Sequence, residues 1–257
     1  MSTPLHSHLP APGARPTGVS DPAAAAQSIQ QMFDAIAPRY DLLNHLLSAG
    51  IDRLWWRRTA HALRPILARP EAVVLDMCCG TGDMTLALDK LRPQPATLPA
   101  PILAVDFSRN MLALALPKFA GRNIRAIEAD ALHLPLADAS IDLVTCAFGF
   151  RNLASYTDGL AELYRVLRPG RQIAILDFYQ PTGLIGALYN LYFKRILPLI
   201  GRIISRDSRA YAYLPESVAR FPSPPRMMER MAFMGFTATT WTAYTFGVAG
   251  LYRATKP

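Results

Sequence analysis

Three features of the 257-residue sequence predict an α/β fold. Short β-branched runs alternate with helix-length stretches from residue 72 onward, a glycine-rich turn follows the first run, and aspartates recur at or just after consecutive run ends. The alternation belongs to a parallel sheet, because each parallel crossover lays a helix across one face of it. The runs are 73–77, 102–107, 124–128, 141–148 and 173–178. Two more, 237–241 and 248–254, follow each other without room for a crossover helix, so the last strand must enter antiparallel. The expectation is seven strands, mostly parallel, with an antiparallel last strand and helices on both faces.

Ahead of the sheet, residues 1–27 are rich in proline and lack the continuous apolar stretch of a secretory signal, so they read as a disordered tail. Residues 28–63 carry helical spacing. Met32, Phe33, Ile36, Tyr40, Leu43 and Leu47 form one stripe and Leu54, Trp55, Thr59 and Leu63 a later one, with Pro38 and Gly50 as breaks. These make an N-terminal helical cap on a single domain, 28–257. The most apolar stretch, 184–204, is interrupted by Lys194, Arg195, Pro198 and Arg202, short of the roughly 18 uncharged residues a spanning helix needs. It reads as part of a helical insertion at 180–220, either packed on the core or lying beside a membrane or the mouth of a pocket for a greasy ligand.

Composition narrows the function. At 51% apolar and 18% charged, the chain buries an ample core. Its three cysteines, Cys78, Cys79 and Cys146, assemble neither a disulfide framework nor a four-ligand zinc site, which points to a reducing cytoplasm and to no metal. The net charge of +8 divides unevenly: Lys plus Arg against Asp plus Glu is 7 to 4 in residues 1–70, 10 to 12 in 71–180 and 10 to 3 in 181–257. Such surplus suits an anionic surface or plain solubility. Trp55-Trp56-Arg57-Arg58 superficially suggests nucleic acid, but helical spacing sends one tryptophan to the core and the arginines to water, so no nucleic acid is expected.

The turn Asp76-Met77-Cys78-Cys79-Gly80-Thr81-Gly82-Asp83 opens the first crossover helix, and Gly80 and Gly82 let its backbone approach a ligand. The third glycine of a dinucleotide fingerprint is replaced by Thr85, and Asp76 with Asp83 set carboxylates where a pyrophosphate would lie. Phosphate is disfavoured, and an adenosyl ligand ending in an amine and a sulfonium, S-adenosylmethionine, is favoured. Asp106 ends the second strand, where a carboxylate accepts both ribose hydroxyls; Asp130-Ala131-Leu132 follows the third, suited to an adenine amino group and ring.

Four further segments carry a resemblance: Tyr40-Asp41-Leu42-Leu43-Asn44 with Ser48, Gly50-Ile51 and Trp55; Phe148-Gly149-Phe150-Arg151-Asn152; Tyr164-Arg165-Val166-Leu167-Arg168-Pro169-Gly170; and Tyr211-Ala212-Tyr213-Leu214-Pro215-Glu216-Ser217-Val218. In this combination and order, from about Met32 to Arg253, the chain resembles the C-methyltransferases of ubiquinone and menaquinone biosynthesis. The resemblance implies a Rossmann-like class I methyltransferase fold and cofactor contacts at Thr81, Asp106, Asp130, Ala131 and Ala147, the last in place of a frequent serine. It departs from the family pattern at Leu43, Asp52, Arg171 and the Cys78-Cys79 pair.

The resemblance also implies a polyprenyl quinol substrate, demethylmenaquinol or a ubiquinone-pathway benzoquinol, with peripheral contact at the inner membrane face, and it leaves room for a homodimer or a quinone-pathway complex. Another lipid or small-molecule methyltransferase is the alternative, and a non-catalytic scaffold of the pathway is a third reading. Carbon methylation needs an ionised ring hydroxyl, so a cation is expected beside the acceptor. Arg151, with Asn152, is the candidate, and Tyr40 or a water the proton relay.

Overall fold

In a computed structural model, which describes residues 13–14, 21–39, 48, 50–93, 100–181, 183–191 and 208–257, the strands are β1 Val74–Met77, β2 Ile102–Asp106, β3 Ile124–Glu128, β4 Ile141–Ala147, β5 Leu167–Phe178, β6 Thr237–Tyr244 and β7 Ala249–Thr255. They form one seven-stranded sheet in the order β3-β2-β1-β4-β5-β7-β6. The first five pair in parallel. β7 runs antiparallel to both β5 and β6, as expected from the missing crossover. β5 begins at Leu167, six positions before the apolar run expected at 173, because its polar start pairs with β4 through a register shift between Ile141 and Leu143.

The central strands send alternate residues to opposite faces, and both faces are dry. Leu75, Met77, Val144, Cys146, Ile173 and Ile175 join one core; Val74, Leu143, Ala174 and Leu176 join the other. Each face therefore needs a helical cover, which the crossovers provide. The helices are α1 Pro22–Ile36, α2 Asp52–Ala62, α3 Arg64–Leu67, α4 Asp83–Asp89, α5 Arg109–Phe119, α6 Tyr156–Val166, α7 Gly183–Leu191, α8 Ser208–Arg220 and α9 Pro224–Phe233. α7 and α8 fall in the expected insertion at 180–220, of which residues 192–207 lie outside the described residues.

The tail expected over 1–27 is corrected in two places. α1 starts at Pro22: Asp21 Oδ2 accepts from the Ala24 N–H at 2.8 Å, Pro22 presets the helical φ, and four alanines follow. Residues 13–14 are docked as well, with the Ala14 N–H donating to the Leu153 carbonyl at 2.7 Å. Composition alone hid both, since proline and alanine serve a helix start as readily as a loose tail.

β1 has β2 on one side and β4 on the other, so the order of strands reverses there. Open sheets bind ligands at the carboxyl ends of the strands flanking such a reversal. The turn leaving β1 is shaped for close packing: Gly82 has φ +89°, and a Cβ on it would lie 2.5 Å from Phe119 Cε1 of α5. Gly82→Ala is expected to cost about 2 kcal/mol or more, about 1 to 2 from the left-handed backbone and the rest from displacing Phe119. Urea unfolding of the variant and of wild type measures this, and equal midpoints would contradict it.

Candidate active site

The site is built where the β1 turn meets the loop after β4. Cys78 holds φ +55° and Phe148 φ +58°, both rare for residues with side chains. Between them there is no spare room: a Cβ on Gly149 would lie 2.2 Å from Cys78 Cβ and 3.4 Å from Cys146 Sγ. Glycine in Phe148-Gly149-Phe150-Arg151-Asn152 is thus a steric requirement. The cleft opens beside this contact and is lined by Cys78, Gly80, Ala147, Phe148, Gly149 and Asn152 on the sheet side.

Asp106 lies at the tip of β2 on the cleft wall. One carboxylate oxygen accepts from the Gly80 N–H at 2.7 Å and the other from the Ser108 N–H at 2.8 Å, which fixes its plane. Burial raises its pKa, and the two backbone donors pull the other way. Asp130, Ala131 and Leu132 also line the cleft, and Asp130 Oδ1 caps its own loop through the Leu132 N–H at 2.9 Å.

Other expected contacts lie behind the wall. Asp76 is fully buried and accepts from Thr85 Oγ1 at 2.6 Å and Thr145 Oγ1 at 2.7 Å, so its carboxylate braces the turn from beneath and does not line the cleft. Desolvation pushes its pKa up to about 6. Asp83 makes an ion pair with Lys118 at 3.4 Å, away from the lining residues. Thr81 is buried, and Gly82 serves helix packing; neither lines the cleft. Thr81 and Gly82 lie in the turn that enters α4 and Asp83 is the first residue of that helix, whereas Asp76 lies within β1.

Arg151 is also relocated relative to a cation open to the acceptor. It is 6% exposed and bonds fully buried Asp177 twice, through its backbone N–H at 3.0 Å and its guanidinium at 2.9 Å. The guanidinium also donates to the Phe148 carbonyl and lies 5.1 Å over the Phe178 ring. Its positive end still acts on its surroundings: it lowers the proton affinity of the Tyr213 and Tyr189 hydroxyls against the desolvation that raises both. Asn152 does line the cleft, and its Oδ1 accepts from Tyr213 Oη at 3.1 Å. Tyr40 lies outside the described residues.

Some functional residues escaped the sequence reading. Asp177, an acid at the end of the apolar run Ile173-Ala174-Ile175-Leu176, signals a buried cation partner and was the available clue. α1 forms the outer wall through Ala26, Ile29, Gln30 and Phe33. It is fastened by Gln30 Nε2 donating to the Phe107 carbonyl at 2.8 Å and by Ser108 Oγ donating to Asp34. Two polar residues four apart on an otherwise apolar stripe were the only sign of it. The signature 164–170 is architectural: Arg165 ties the loop after β3 through the Leu134 and Leu136 carbonyls, and Tyr164 packs under Lys256.

The wall chemistry selects a ligand. Two carboxylates, Asp106 and Asp130, line the cleft, and no lysine, arginine or histidine does so among the described residues. A pyrophosphate would be repelled there, whereas ribose hydroxyls, an exocyclic amine and cationic ends are accommodated. Ile29, Val105, Met111 and Leu132 supply the apolar surface for a flat ring. The donor set therefore fits S-adenosylmethionine.

A family model described as the ubiE/COQ5 methyltransferase family matches residues 22–256. The chain is 48% identical to a protein of Deinococcus radiodurans named demethylmenaquinone methyltransferase, over 93% of this chain and 96% of that one. It is 42% identical to a ubiquinone/menaquinone biosynthesis C-methyltransferase of Geotalea daltonii, over 90% and 97%. Among solved structures, the [4+2]-cyclase SpnF superposes with a TM-score of 0.66 at 15% identity, covering 97% of this chain and 98% of that one, which shows a shared fold.

Asp76 gives the site a pH signature. Its folded pKa of about 6 exceeds the ordinary value of 3.8, so the folded state holds the proton more tightly and stability falls as pH rises from about 4 to about 6. Asp76→Asn removes that slope. The stability difference between wild type and variant should change by about 2 to 3 kcal/mol between pH 4 and pH 7, to the disadvantage of wild type at the higher pH. Urea unfolding at both pH values measures it, and a constant difference would show that Asp76 titrates normally.

Proposed function

We propose, from the premise that this chain belongs to the ubiE/COQ5 methyltransferase family, that it C-methylates a polyprenylated quinol, demethylmenaquinol foremost, with S-adenosylmethionine as donor. The observation that carries the reading is the bond from Tyr213 Oη to Asn152 Oδ1, 3.1 Å, on the cleft that Asp106 also lines. It joins the two segments, 148–152 and 211–218, that distinguish this chain from a generic methyltransferase, and it does so where an acceptor must lie. The names of the relatives at 48% and 42% identity, which match nearly end to end, support the same acceptor class.

S-adenosylmethionine, when bound, supplies a methyl group activated by a sulfonium. The chain's residues do the rest. Asp106 holds the ribose hydroxyls with an orientation set by the Gly80 and Ser108 amides, Asp130 accepts from the adenine amine, and Ala131 and Ala147 leave room beside them. α1 closes the outer side and excludes water.

Arg151 raises the nucleophilicity of the acceptor through its field. A phenol with a pKa near 10 is only about 0.1% ionised at neutral pH, and lowering that pKa by about two units raises the fraction to roughly 10%. Burial raises the pKa of the neighbouring Tyr213 and Tyr189 hydroxyls and the guanidinium offsets part of that rise, and the same field would act on a quinol hydroxyl bound against Asn152. Asn152 offers that hydroxyl an amide donor, since its Nδ2 makes only a long 3.4 Å contact with the Phe148 carbonyl. Asp177 holds the guanidinium in place and keeps its burial affordable in free energy.

A polyprenyl acceptor sets the work at the cytoplasmic face of the membrane, reached peripherally. Among the described residues no helix is long and apolar enough to cross a bilayer.

Incubating the purified chain with the donor and a short-tailed demethylnaphthoquinol under reducing conditions should give a product heavier by one methylene, with the new methyl on carbon. Methylation on oxygen, or none on naphthoquinol or benzoquinol, would overturn the reading. Arg151→Met is expected to keep donor affinity within a few-fold, to lower kcat by about a hundredfold and to move the alkaline rise of kcat upward by about two pH units. Arg151→Lys should restore part of the turnover. An unshifted pH profile in Arg151→Met would deny the field its role.

A further inference from the structure

We propose that the outer face of α2 and the turn between β6 and β7 form a docking surface for an anionic lipid bilayer. α2 exposes Arg53, Leu54, Arg57, Arg58 and His61, and Arg64 follows on the same exposed side of the chain. Its single acid, Asp52, is 3% exposed and turned inward. Elsewhere on the described surface, arginines are repeatedly neutralised: Arg109 by Glu128, Arg122 by Asp89, Arg168 by Asp142, Arg220 by Glu216. Among the described residues no carboxylate pairs with Arg53, Arg57, Arg58 or Arg64. The face is therefore a concentrated positive field, not a salt-bridged one.

Beside it stands an apolar wedge. Phe246 is 82% exposed and Leu54 54% exposed. Thr245 and Phe246 hold φ values of +45° and +56°, so the turn keeps a phenyl ring in water in a conformation that suits asparagine or glycine better. Two contacts fix the wedge and the cations as one surface: Trp55 Nε1 donates to Thr245 Oγ1 at 2.8 Å, and the Arg58 guanidinium lies 4.5 Å over the Tyr244 ring.

Cations around an exposed aromatic fit headgroup phosphates with the acyl layer beneath them; a nucleic acid would use the charges and leave Phe246 and Leu54 wet. Behind the surface, Trp55 meets Phe148 at 5.8 Å between ring centroids, and Phe148 lines the cleft. Docking on this face would place the bilayer one aromatic layer, Trp55 and Phe148, from the cleft. The inference rests on the proposed quinol acceptor for its purpose but not for its test.

The test is sedimentation of the full chain with vesicles of phosphatidylcholine alone and of phosphatidylcholine with phosphatidylglycerol. Wild type should bind the anionic vesicles and lose that binding as salt is raised. Arg53→Glu with Arg57→Glu, and separately Phe246→Asn, should each weaken it by about tenfold or more, with methylation of a short-tailed soluble quinol unchanged and methylation of a vesicle-embedded long-tailed quinol reduced. Equal binding to both vesicle types, or binding to duplex DNA without binding to vesicles, would overturn the proposal. If wild type methylates no soluble quinol yet binds anionic vesicles as described, the acceptor reading fails and the docking surface stands.

Discussion

The approach of two loops without side-chain clearance governs the site. The turn after β1 and the loop after β4 touch at Cys78 and Gly149, at a separation where even a methyl group on residue 149 would overlap Cys78. The β1 turn brings Gly80 to the cleft, and the β4 loop brings Phe148 and Asn152 to it with Arg151 buried behind them. A contact this tight fixes the two loops in register, and a displacement of about 1 Å between reacting atoms can cost about a hundredfold in rate. The left-handed backbones of Cys78 and Phe148 follow from the same constraint: each chain must turn sharply to leave its strand and clear the other.

Charge is arranged in two layers around that contact. The inner layer is buried and compensated: Asp76 between two threonine hydroxyls, and Asp177 against Arg151. Removing Arg151 would leave the Asp177 charge uncompensated in the core, a loss of about 3 to 5 kcal/mol, so that pair acts as a rigid strut. The outer layer faces the cleft and comprises Asp106 and Asp130, without a cation lining it among the described residues. Separating the layers keeps the buried Arg151–Asp177 pair apart from the two acids that face the cleft, so neither neutralises the other.

The seven-stranded sheet, the antiparallel entry of its last strand and a ligand edge at the strand ends were legible because apolar alternation and the missing crossover before 248–254 have few structural solutions. That Asp106, Asp130, Gly80, Ala131, Ala147 and Asn152 stand together on one cleft was legible because strand ends and a glycine turn mark that edge of the sheet. The depth of Asp76 and Arg151 was not. Spacing tells which edge a residue reaches, whereas whether its side chain points into the cleft or beneath it depends on partners from distant segments, Thr145 and Asp177, 69 and 26 positions away. The start of α1 was missed for a different reason: its cap is local, but its function as a wall is made by Asp34 and Gln30 reaching residues more than seventy positions on.

The fold by itself selects no chemistry, as the superposition with a [4+2]-cyclase makes plain. Chains that share a fold can catalyse different reactions. What singles out methyl transfer to a phenol here is a polarity pattern laid on that edge. The donor half is acidic and apolar, which suits an adenosyl group and repels phosphate. In the proposed reading, the acceptor half has one guanidinium at 6% exposure, held by a carboxylate behind it, which offsets part of the rise that burial gives the pKa of the Tyr213 hydroxyl. A site for transferring a methyl group to an amine would gain nothing from that cation, because it would disfavour charge on the substrate as it forms. A ring hydroxyl that must lose its proton before the carbon beside it can attack gains directly, and the same residues that make the site poor for the first reaction make it good for the second.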